Sequence, residues 1–295
     1  MRSGTATSFV DPASMKIIRT VPELSGWRAA VPSTEHVAFV PTMGFLHAGH
    51  LSLLHDARRR VPSGTGPLVL SIFVNPTQFD PGEDLDAYPR NEAQDLELAE
   101  SAGVDVVFSP DDPGQMYPSR QTWVNVEGLS STLCGESRPN HFRGVCTVVA
   151  KLWMLVRPDV AVFGEKDYQQ LAILRRMHAD LFLGGEVASM PIVREDDGLA
   201  MSSRNANLSP SARAQALRLP AFRSEVLRRF EAGDTEVSTL LAGAEDALAP
   251  GVVDYVQAVD ASSLQPVERV AAPTLVAFAV RYGGVRLIDN VVLLS

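Results

Sequence analysis

The chain has 295 residues, 45% of them hydrophobic and 21% charged, a balance typical of a globular protein with one large or two modest domains. Its formal net charge of −9 argues against a protein whose whole surface binds nucleic acid or an anionic membrane. Only Cys134 and Cys146 occur, too few for a disulfide framework or a zinc site, and this favours a reducing cytoplasm.

The amino-terminal residues 1–14 are polar and lack the apolar segment of a signal peptide. They are therefore predicted to form a disordered extension, or to result from a start codon assigned upstream of the true one, because Met15-Lys16-Ile17-Ile18-Arg19 resembles a second beginning. No apolar run anywhere in the chain approaches the roughly 18 residues that a membrane span needs, so no membrane partner is expected.

From residue 15 to about residue 193, apolar runs that predict strands alternate with amphipathic runs that predict helices. The predicted strands are 17–20, 37–40, 68–74, 104–108, 160–163 and 187–193, and alternation at 123–126 suggests an edge strand. The predicted helices are 21–30, 51–60, 92–102, 147–156 and 169–180. This order favours a parallel sheet with right-handed crossovers, which defines a first domain over residues 15–193.

Beyond residue 193 the pattern changes to long helices followed by strands. Helices are predicted at 209–230 and 236–249, and strands at 252–259, 274–281 and 285–294. Gly283-Gly284 is typical of a tight hairpin between the last two strands. Residues 194–295 are therefore predicted to form a smaller α+β domain.

Candidate ligand-binding residues follow the carboxyl ends of four predicted strands, where open parallel sheets bind their ligands. They are Met43, Gly44, His47 and His50 after strand 37–40, Asn75 and Gln78 after strand 68–74, Gly164 to Asp167 after strand 160–163, and Met201 to Asn205 after strand 187–193. Imidazole, amide, ammonium and guanidinium groups thus converge on one crevice. That set suits a triphosphate and a small polar co-substrate.

Plainer explanations exist for each motif. The two histidines could bind a metal, but no Glu or Cys partner at a suitable spacing stands near them. Gly164 to Asp167 could be a solvated turn, and Glu83, Asp84 and Asp86 a solvated loop, with Mg²⁺ binding less favoured there. The chain lacks a P-loop and a Gly-x-Gly-x-x-Gly fingerprint, which argues against a P-loop NTPase and a dinucleotide dehydrogenase.

The motif His47-Ala48-Gly49-His50 resembles the His-x-Gly-His motif of the nucleotidyltransferase superfamily, and Met201-Ser202-Ser203-Arg204 is similar to that group's second phosphate-binding motif. Further segments, in the same order, resemble the pantothenate synthetase (pantoate–β-alanine ligase) family over residues 15–295. They are Pro41 to Gly44, Phe73 to Phe79, Tyr88 to Arg90, Arg138 to Val145, Phe163 to Gln170 and Asp197 to Asn205.

The resemblance implies a Rossmann-like sheet and a two-step reaction. ATP would adenylate the carboxylate of (R)-pantoate, and the amine of β-alanine would then displace AMP to form pantothenate. The resemblance also implies Mg²⁺ as cofactor, a cytoplasmic location and a homodimer.

The resemblance also implies a role for each matching residue. His50, His47 and Lys166 would be catalytic, and Gln78 and Gln170 would bind pantoate, with Gln78 also near β-alanine. Asn75 and Arg138 are further candidates, for the floor of the site and for its wall near pantoate. The expected ATP-binding residues are Met43, Gly44, Phe45, Leu46, His47, Ala48, Gly49, His50, Gly164, Glu165, Lys166, Asp167, Val193, Met201, Ser202, Ser203 and Arg204.

The chain departs from the family pattern at a few positions. Many relatives carry an acidic residue where Ala48 stands and a smaller residue where Phe45 stands, but neither change removes a catalytic group. In the acidic helix where some relatives place magnesium-binding carboxylates, only Asp95 lines up. The ATP phosphates are therefore expected to supply most of the Mg²⁺ ligands.

Two other functions remain open at this point. Another adenylyltransferase with a His-x-Gly-His motif would share the phosphate motifs but not the segments around Gln78 and Gln170. A nucleotide sensor or an RNA-binding relative would bind ATP without chemistry. The acidic pI of about 5.2 argues against RNA, and the intact His, Lys and Arg set argues against an inactive relative.

Overall fold

The structure, a computed structural model, describes residues 15–294. The predicted disordered extension over residues 1–14 lies outside the described residues.

A six-stranded parallel sheet forms the first part of the chain. Its strands are β1 (Lys16–Ile18), β2 (Ala38–Thr42), β3 (Leu68–Ile72), β4 (Val106–Phe108), β5 (Val160–Gly164) and β6 (Glu186–Met190). They lie in the order β1-β4-β3-β2-β5-β6, with every neighbouring pair parallel. The chain moves outward from β2 through β3 and β4 and then crosses to the other side of β2. The switch point between β2 and β5 is where such a sheet opens a ligand crevice.

Helices cover both faces of this sheet. They are α1 (Val21–Ala30), α2 (Ala48–Arg60), α3 (Glu92–Ser101), α4 (Cys134–Ser137), α5 (His141–Val156) and α6 (Tyr168–Asp180). One face packs Phe39 and Phe108 against α1, α5 and α6, and the other packs Val40 and Leu70 against α2 and α3. Burial on both faces explains why the strands are continuously apolar. The predicted parallel α/β fold is confirmed.

A smaller antiparallel sheet with its own helices forms the last part of the chain, as predicted. Its strands are β7 (Val252–Asp260), β8 (Thr274–Tyr282) and β9 (Val285–Leu293), and its helices are α7 (Pro210–Ala216), α8 (Arg218–Glu231), α9 (Val237–Leu240) and α10 (Ala244–Leu248). Phe222 packs edge-on against Phe278 in its core, with 5.3 Å between ring centroids. A further cluster joins Leu133, just before α4, to Leu264 and to Leu275 of β8, so the second sheet packs against the helical side of the first part of the chain.

Three predictions about the secondary structure are wrong in detail. The expected edge strand at 123–126 is irregular, because the Val124 N–H bonds the Thr147 hydroxyl (3.0 Å) instead of a neighbouring strand. The predicted helix 209–230 is interrupted at Leu217. The predicted helix 236–249 is broken where Gly243 adopts a φ of 73°, in the left-handed region that ends helices.

No helix within residues 15–294 combines the length and the apolar character that crossing a membrane requires.

Candidate active site

A cavity of about 270 Å³ lies beyond the carboxyl ends of β2 and β5, at the switch point of the sheet. Residues from both parts of the chain line it, including Asp289 and Asn290 of β9. The predicted site residues that line it are Met43, His47, Gly49, His50, Asn75, Gln78, Arg138, Gly164, Lys166, Asp167, Gln170, Val193, Met201, Ser202, Ser203 and Arg204. The tertiary structure therefore brings the residues at the strand ends together around one cavity.

The His-x-Gly-His motif forms the start of α2. His47 is the N-cap residue, and its Nδ1 accepts a hydrogen bond from the Gly49 N–H (3.1 Å). This bond places the ring proton of neutral His47 on Nε2. A Cβ at Gly49 would lie 2.8 Å from His47 Cε1, so only glycine lets the ring fold back over the helix start. The glycine of the motif thus positions a histidine.

The two imidazoles of the motif lie side by side, with 4.1 Å between ring centroids. Burial, reinforced by the charge of Lys166, lowers the pKa of His47 to about 4. Burial, His47 and Lys166 likewise hold the pKa of His50 well below its ordinary value. Both rings are therefore neutral at pH 7, and they offer N–H donors while the Lys166 ammonium supplies positive charge.

The loop before this motif has an unusual backbone that a buried carboxylate holds. Gly44 and Phe45 have φ values of 79° and 51°, a conformation that costs a non-glycine residue energy. Asp95 of α3 is only 2% exposed, and its two oxygens accept the N–H groups of Phe45 (2.8 Å) and Leu46 (2.6 Å). A Cβ at Gly44 would meet the same carboxylate at 2.8 Å.

This geometry bears on the expected magnesium site at Asp95. Both carboxylate oxygens of Asp95 already accept backbone N–H groups. Within residues 15–294, no group of three or more His, Cys, Asp or Glu side chains is arranged to hold a metal ion. In the described structure Asp95 is therefore a hydrogen-bond acceptor for the loop, and its role toward Mg²⁺ stays a prediction.

The Met201–Arg204 motif contacts the loop that precedes the His47–His50 motif. The Ser203 hydroxyl donates to the Phe45 carbonyl oxygen (3.1 Å), across 158 residues of sequence. The Met201 N–H donates to the Val193 carbonyl (3.0 Å), which joins the motif to the segment after β6. The Met201–Arg204 motif is thus hydrogen-bonded to Phe45, in the loop that leads into the His47–His50 motif.

Arg204 is held by a carboxylate of the loop that follows β3. Its Nε and Nη2 atoms donate to the two oxygens of Asp84 (2.7 and 3.0 Å), and its guanidinium lies 5.7 Å from the centre of the Tyr88 ring. Burial disfavours the charge of Arg204, but Asp84 outweighs it and raises the pKa. The two parallel hydrogen bonds to Asp84 fix the orientation of the Arg204 guanidinium and favour its charged form.

Arg138 has an analogous partner in the same loop. Its Nε and Nη2 atoms donate to the two oxygens of Glu83 (2.5 and 2.6 Å). Burial opposes the charge, yet the carboxylate raises the pKa of Arg138. The interpretation of Glu83 and Asp84 as members of a solvated loop is therefore wrong, because both form ion pairs with arginines that line the cavity.

Gln78 lines the cavity beside Arg138, and both its backbone and its side chain are held by hydrogen bonds. Its backbone carbonyl accepts hydrogen bonds from His141 Nδ1 (2.8 Å) and Arg138 Nη2 (3.1 Å). Its side-chain Oε1 accepts from Asn75 Nδ2 (3.0 Å). Helix α5 packs so closely there that a Cβ at Gly144 would lie 2.7 Å from the Gln78 Cα. The amide is therefore preorganised.

The two glutamines at the start of α6 have different surroundings. Gln169 is buried; its Nε2 donates to the carbonyls of Leu129 (2.9 Å) and Thr132 (2.7 Å), and its Oε1 accepts the Cys134 N–H (3.1 Å). Gln170 lines the cavity without such bonds within residues 15–294. Gln169 therefore fastens a loop, and Gln170 is the one placed to meet a ligand.

The turn carrying Lys166 is fixed by the second sheet. Asn290 of β9 donates through Nδ2 to the carbonyl oxygens of Glu165 (3.0 Å) and Lys166 (2.9 Å). The last strand of the chain thus helps to form the site.

Several expected ATP-binding residues lie near the cavity without lining it, namely Gly44, Phe45, Leu46, Ala48 and Glu165. The residues whose roles sequence reasoning missed hold the lining side chains in place. Glu83 and Asp84 pair with the arginines and Tyr117 contacts Asn75 from behind the lining, whereas His141, which binds the Gln78 carbonyl, itself lines the cavity. Only the position of His141 inside a family segment could have drawn attention to it.

Comparison with known proteins gives one consistent result. The family model described as pantoate-beta-alanine ligase matches residues 16–292. A pantothenate synthetase of Solidesulfovibrio magneticus is 53% identical over 258 residues, which cover 86% of this chain and 89% of that protein. One of Anaeromyxobacter dehalogenans is 49% identical and covers 94% and 99%.

Solved structures agree with the sequence matches. The crystal structure of pantothenate synthetase from Thermus thermophilus has a TM-score of 0.87 at 46% identity, covering 94% of this chain and 99% of that one. A pantoate-beta-alanine ligase from Francisella tularensis, complexed with beta-gamma ATP and beta-alanine, has a TM-score of 0.79 at 31% identity and covers 95% and 98%.

Proposed function

Because the chain belongs to the pantoate–β-alanine ligase family, we propose that it joins (R)-pantoate to β-alanine at the expense of ATP. Pantoyl adenylate is the intermediate, and pyrophosphate and AMP are released. The observation that carries the proposal is the shared cavity, because phosphate-type donors and two glutamine amides line the same space.

In the first step a pantoate carboxylate oxygen attacks the α-phosphorus of ATP, and the bond from that phosphorus to the bridging oxygen of pyrophosphate breaks. Negative charge grows on the non-bridging oxygens and on the leaving group. His47, His50 and Lys166 would stabilise this charge, the histidines as N–H donors and the lysine as a cation. Arg204, aimed by Asp84, would meet the phosphates from the side of the second motif.

In the second step the neutral amine of β-alanine attacks the acyl carbon of pantoyl adenylate. The bond from that carbon to the AMP oxygen breaks, and the nitrogen loses a proton. The adenylate is already activated, so this step needs positioning and exclusion of water more than a nucleophilic side chain. Gln78 and Gln170 are suited to this task because amides bind a polar hydroxy acid without adding charge.

Mg²⁺ enters this scheme with the nucleotide. The reaction uses ATP, and the described residues form no three-ligand metal cluster, so we infer that the phosphates carry most of the ligands. The ion would neutralise phosphate charge, and no side chain of this chain is assigned to it.

The division into an ATP and pantoate domain over residues 15–193 and a lid over residues 194–295 is part of the proposal. It is supported by the separate cores of the two sheets and by the contacts that Ser203 makes with Phe45 and Arg204 makes with Asp84, both in the first part of the chain. A homodimer in the cytoplasm stays a prediction, and analytical ultracentrifugation would check the dimer.

The test is exchange of labelled pyrophosphate into ATP, with and without pantoate, followed by AMP release with and without β-alanine. We expect exchange to require pantoate and AMP release to require both acids. Exchange that runs equally well without pantoate would point to another adenylyltransferase. ATP binding without AMP release in the complete mixture would indicate a nucleotide sensor.

A further inference from the structure

Behind Gln78 lies a buried polar cluster that contacts no part of the phosphate motifs. Asn75, which is 1% exposed, lies at its centre. Its Oδ1 accepts hydrogen bonds from the Tyr117 hydroxyl (2.7 Å) and the Thr77 N–H (3.3 Å). The Thr77 hydroxyl lies within hydrogen-bond distance of both Asn75 Oδ1 (2.9 Å) and the Tyr117 hydroxyl oxygen (3.0 Å), and its one proton can serve either. Its Nδ2 donates to the Gly144 carbonyl (3.2 Å) and to Gln78 Oε1 (3.0 Å). Every polar atom of the Asn75 side chain is therefore engaged inside the protein.

Two backbone groups decide which way round the Asn75 amide lies. The Thr77 N–H can only donate, so the atom facing it must be the oxygen. The Gly144 carbonyl can only accept, so the atom facing it must be the nitrogen. The second proton of that nitrogen points at Gln78, whose amide must turn its oxygen inward to receive it.

The consequence is that Gln78 turns its nitrogen toward Met43 and the cavity. Gln78 Nε2 lies 3.0 Å from the sulfur of Met43, which also lines the cavity and is only a weak acceptor. A free amide could rotate to donate or to accept. This one is restricted to donation, so it favours a carboxylate or hydroxyl oxygen at that point and disfavours a donor group.

We propose that Tyr117 is a positioning residue for the acid substrate. The backbone fixes which way round the Asn75 amide lies, and the Tyr117 hydroxyl, bonded to Asn75 Oδ1 and to the Thr77 hydroxyl, holds that amide in place, so that Asn75 keeps Gln78 as a hydrogen-bond donor. The inference rests on the proposed function, since pantoate is the acceptor-rich ligand. Tyr117 itself lies behind the cavity lining, 5% exposed, with its ring stacked on Trp123 and covered by the Lys151 ammonium 4.2 Å from its centre. The ring is thus anchored independently of the hydroxyl.

The first test is Tyr117→Phe, which removes the hydroxyl and its contacts with Asn75 and Thr77 and keeps the ring. In pantoate-dependent pyrophosphate exchange, the KM for pantoate should rise about 3- to 10-fold, while the KM for ATP stays within about 2-fold. The matched control is Tyr282→Phe. Tyr282, at the end of β8, is also buried, and its hydroxyl donates to the carbonyl of Leu248 in α10 (2.9 Å). That control should leave both KM values unchanged.

The second test is Asn75→Asp, which replaces the hydrogen-bond donor facing Gln78 by an acceptor. The new carboxylate has no proton for Gln78 Oε1, so the Gln78 amide rotates and presents its oxygen to the cavity. The KM for pantoate should rise roughly 30-fold or more, again with little change for ATP. The KM for pantoate should therefore rise more in Asn75→Asp than in Tyr117→Phe, while the KM for ATP changes little in either. General loosening of the fold would not affect one substrate alone.

The outcomes separate this inference from the proposed function. If the unaltered protein shows no pantoate-dependent exchange, the proposed function fails and the inference fails with it. If the unaltered protein needs pantoate but Tyr117→Phe leaves its KM unchanged, the inference alone is wrong. Equal rises in the KM for ATP and for pantoate, or the same rise in Tyr282→Phe, would also overturn it.

Discussion

Asp95→Asn is the substitution that most directly tests how the first phosphate motif is held. The carboxylate is buried beneath the loop and receives two N–H groups, at 2.8 and 2.6 Å. The amide keeps one acceptor and turns an NH₂ group toward the other N–H. One buried donor thus loses its partner, and one hydrogen bond to a charged acceptor is lost.

The magnitude follows from those two bonds. A hydrogen bond to a charged group contributes about 1.5–3 kcal/mol, and a buried donor without a partner costs about 1–3 kcal/mol. The two values overlap, because both describe the same lost bond, and together they give about 2 kcal/mol. Phe45 at a φ of 51° also favours relaxation of the loop once the clamp weakens. If ATP binding must restore the loop, about 2 kcal/mol corresponds to a roughly 30-fold rise in the KM for ATP.

The assay is pantoate-dependent pyrophosphate exchange at varied ATP, repeated over a range of free Mg²⁺. We expect the higher KM of Asp95→Asn to persist at every Mg²⁺ concentration. The control is Asp159→Asn, because Asp159 accepts the Val37 N–H (2.7 Å) at the opposite, amino-terminal edge of the sheet. An unchanged KM for ATP would refute the clamp. Rescue by excess Mg²⁺ would instead make Asp95 a metal ligand.

Three other substitutions and conditions test the site. His50→Ala should lower the adenylation rate about 10²–10³-fold without unfolding the protein, whereas His55→Ala, at an exposed position on the same helix, should have near-normal turnover. Gly144→Ala should destabilise the protein by about 1–3 kcal/mol in urea unfolding, because its Cβ would lie 2.3 Å from a backbone carbonyl oxygen. Gly26→Ala, with open space around it, should instead stabilise the protein slightly. Burial lowers the pKa of His141 to about 4, so the unfolded chain binds more protons there, and His141 should contribute about 3 kcal/mol to a fall in stability between pH 6.5 and pH 4, to which His47 and His50 add in the same direction. A flat pH profile in urea unfolding would contradict this.

The sequence by itself determined the fold class and the position of the site. Continuous apolar runs predict doubly buried strands, and their alternation with helices predicts a parallel sheet. Because the ends of parallel strands share an edge, His47, Gln78, Lys166 and Arg204 could be placed in one crevice before any coordinates. These inferences depend on local periodicity and on topology, which sequence carries directly.

Only the tertiary structure decided what each group behind the site does. Asp95 clamps a loop 49 residues earlier in the chain, and Tyr117 locks Asn75 across 42 residues. Glu83 pairs with Arg138 across 55 residues. A carboxylate in a sequence can bind a metal, face water or hold an N–H group, and the choice depends on which donors folding brings within about 3 Å.

The same holds for the orientation of Gln78. Its side chain could donate or accept, and the residue type says nothing about which. The orientation comes from two backbone groups with fixed polarity, transmitted through Asn75. The sequence therefore indicated which side chains line the cavity, whereas the directions of their hydrogen bonds were decided by long-range contacts in a buried environment where every polar group needs a partner.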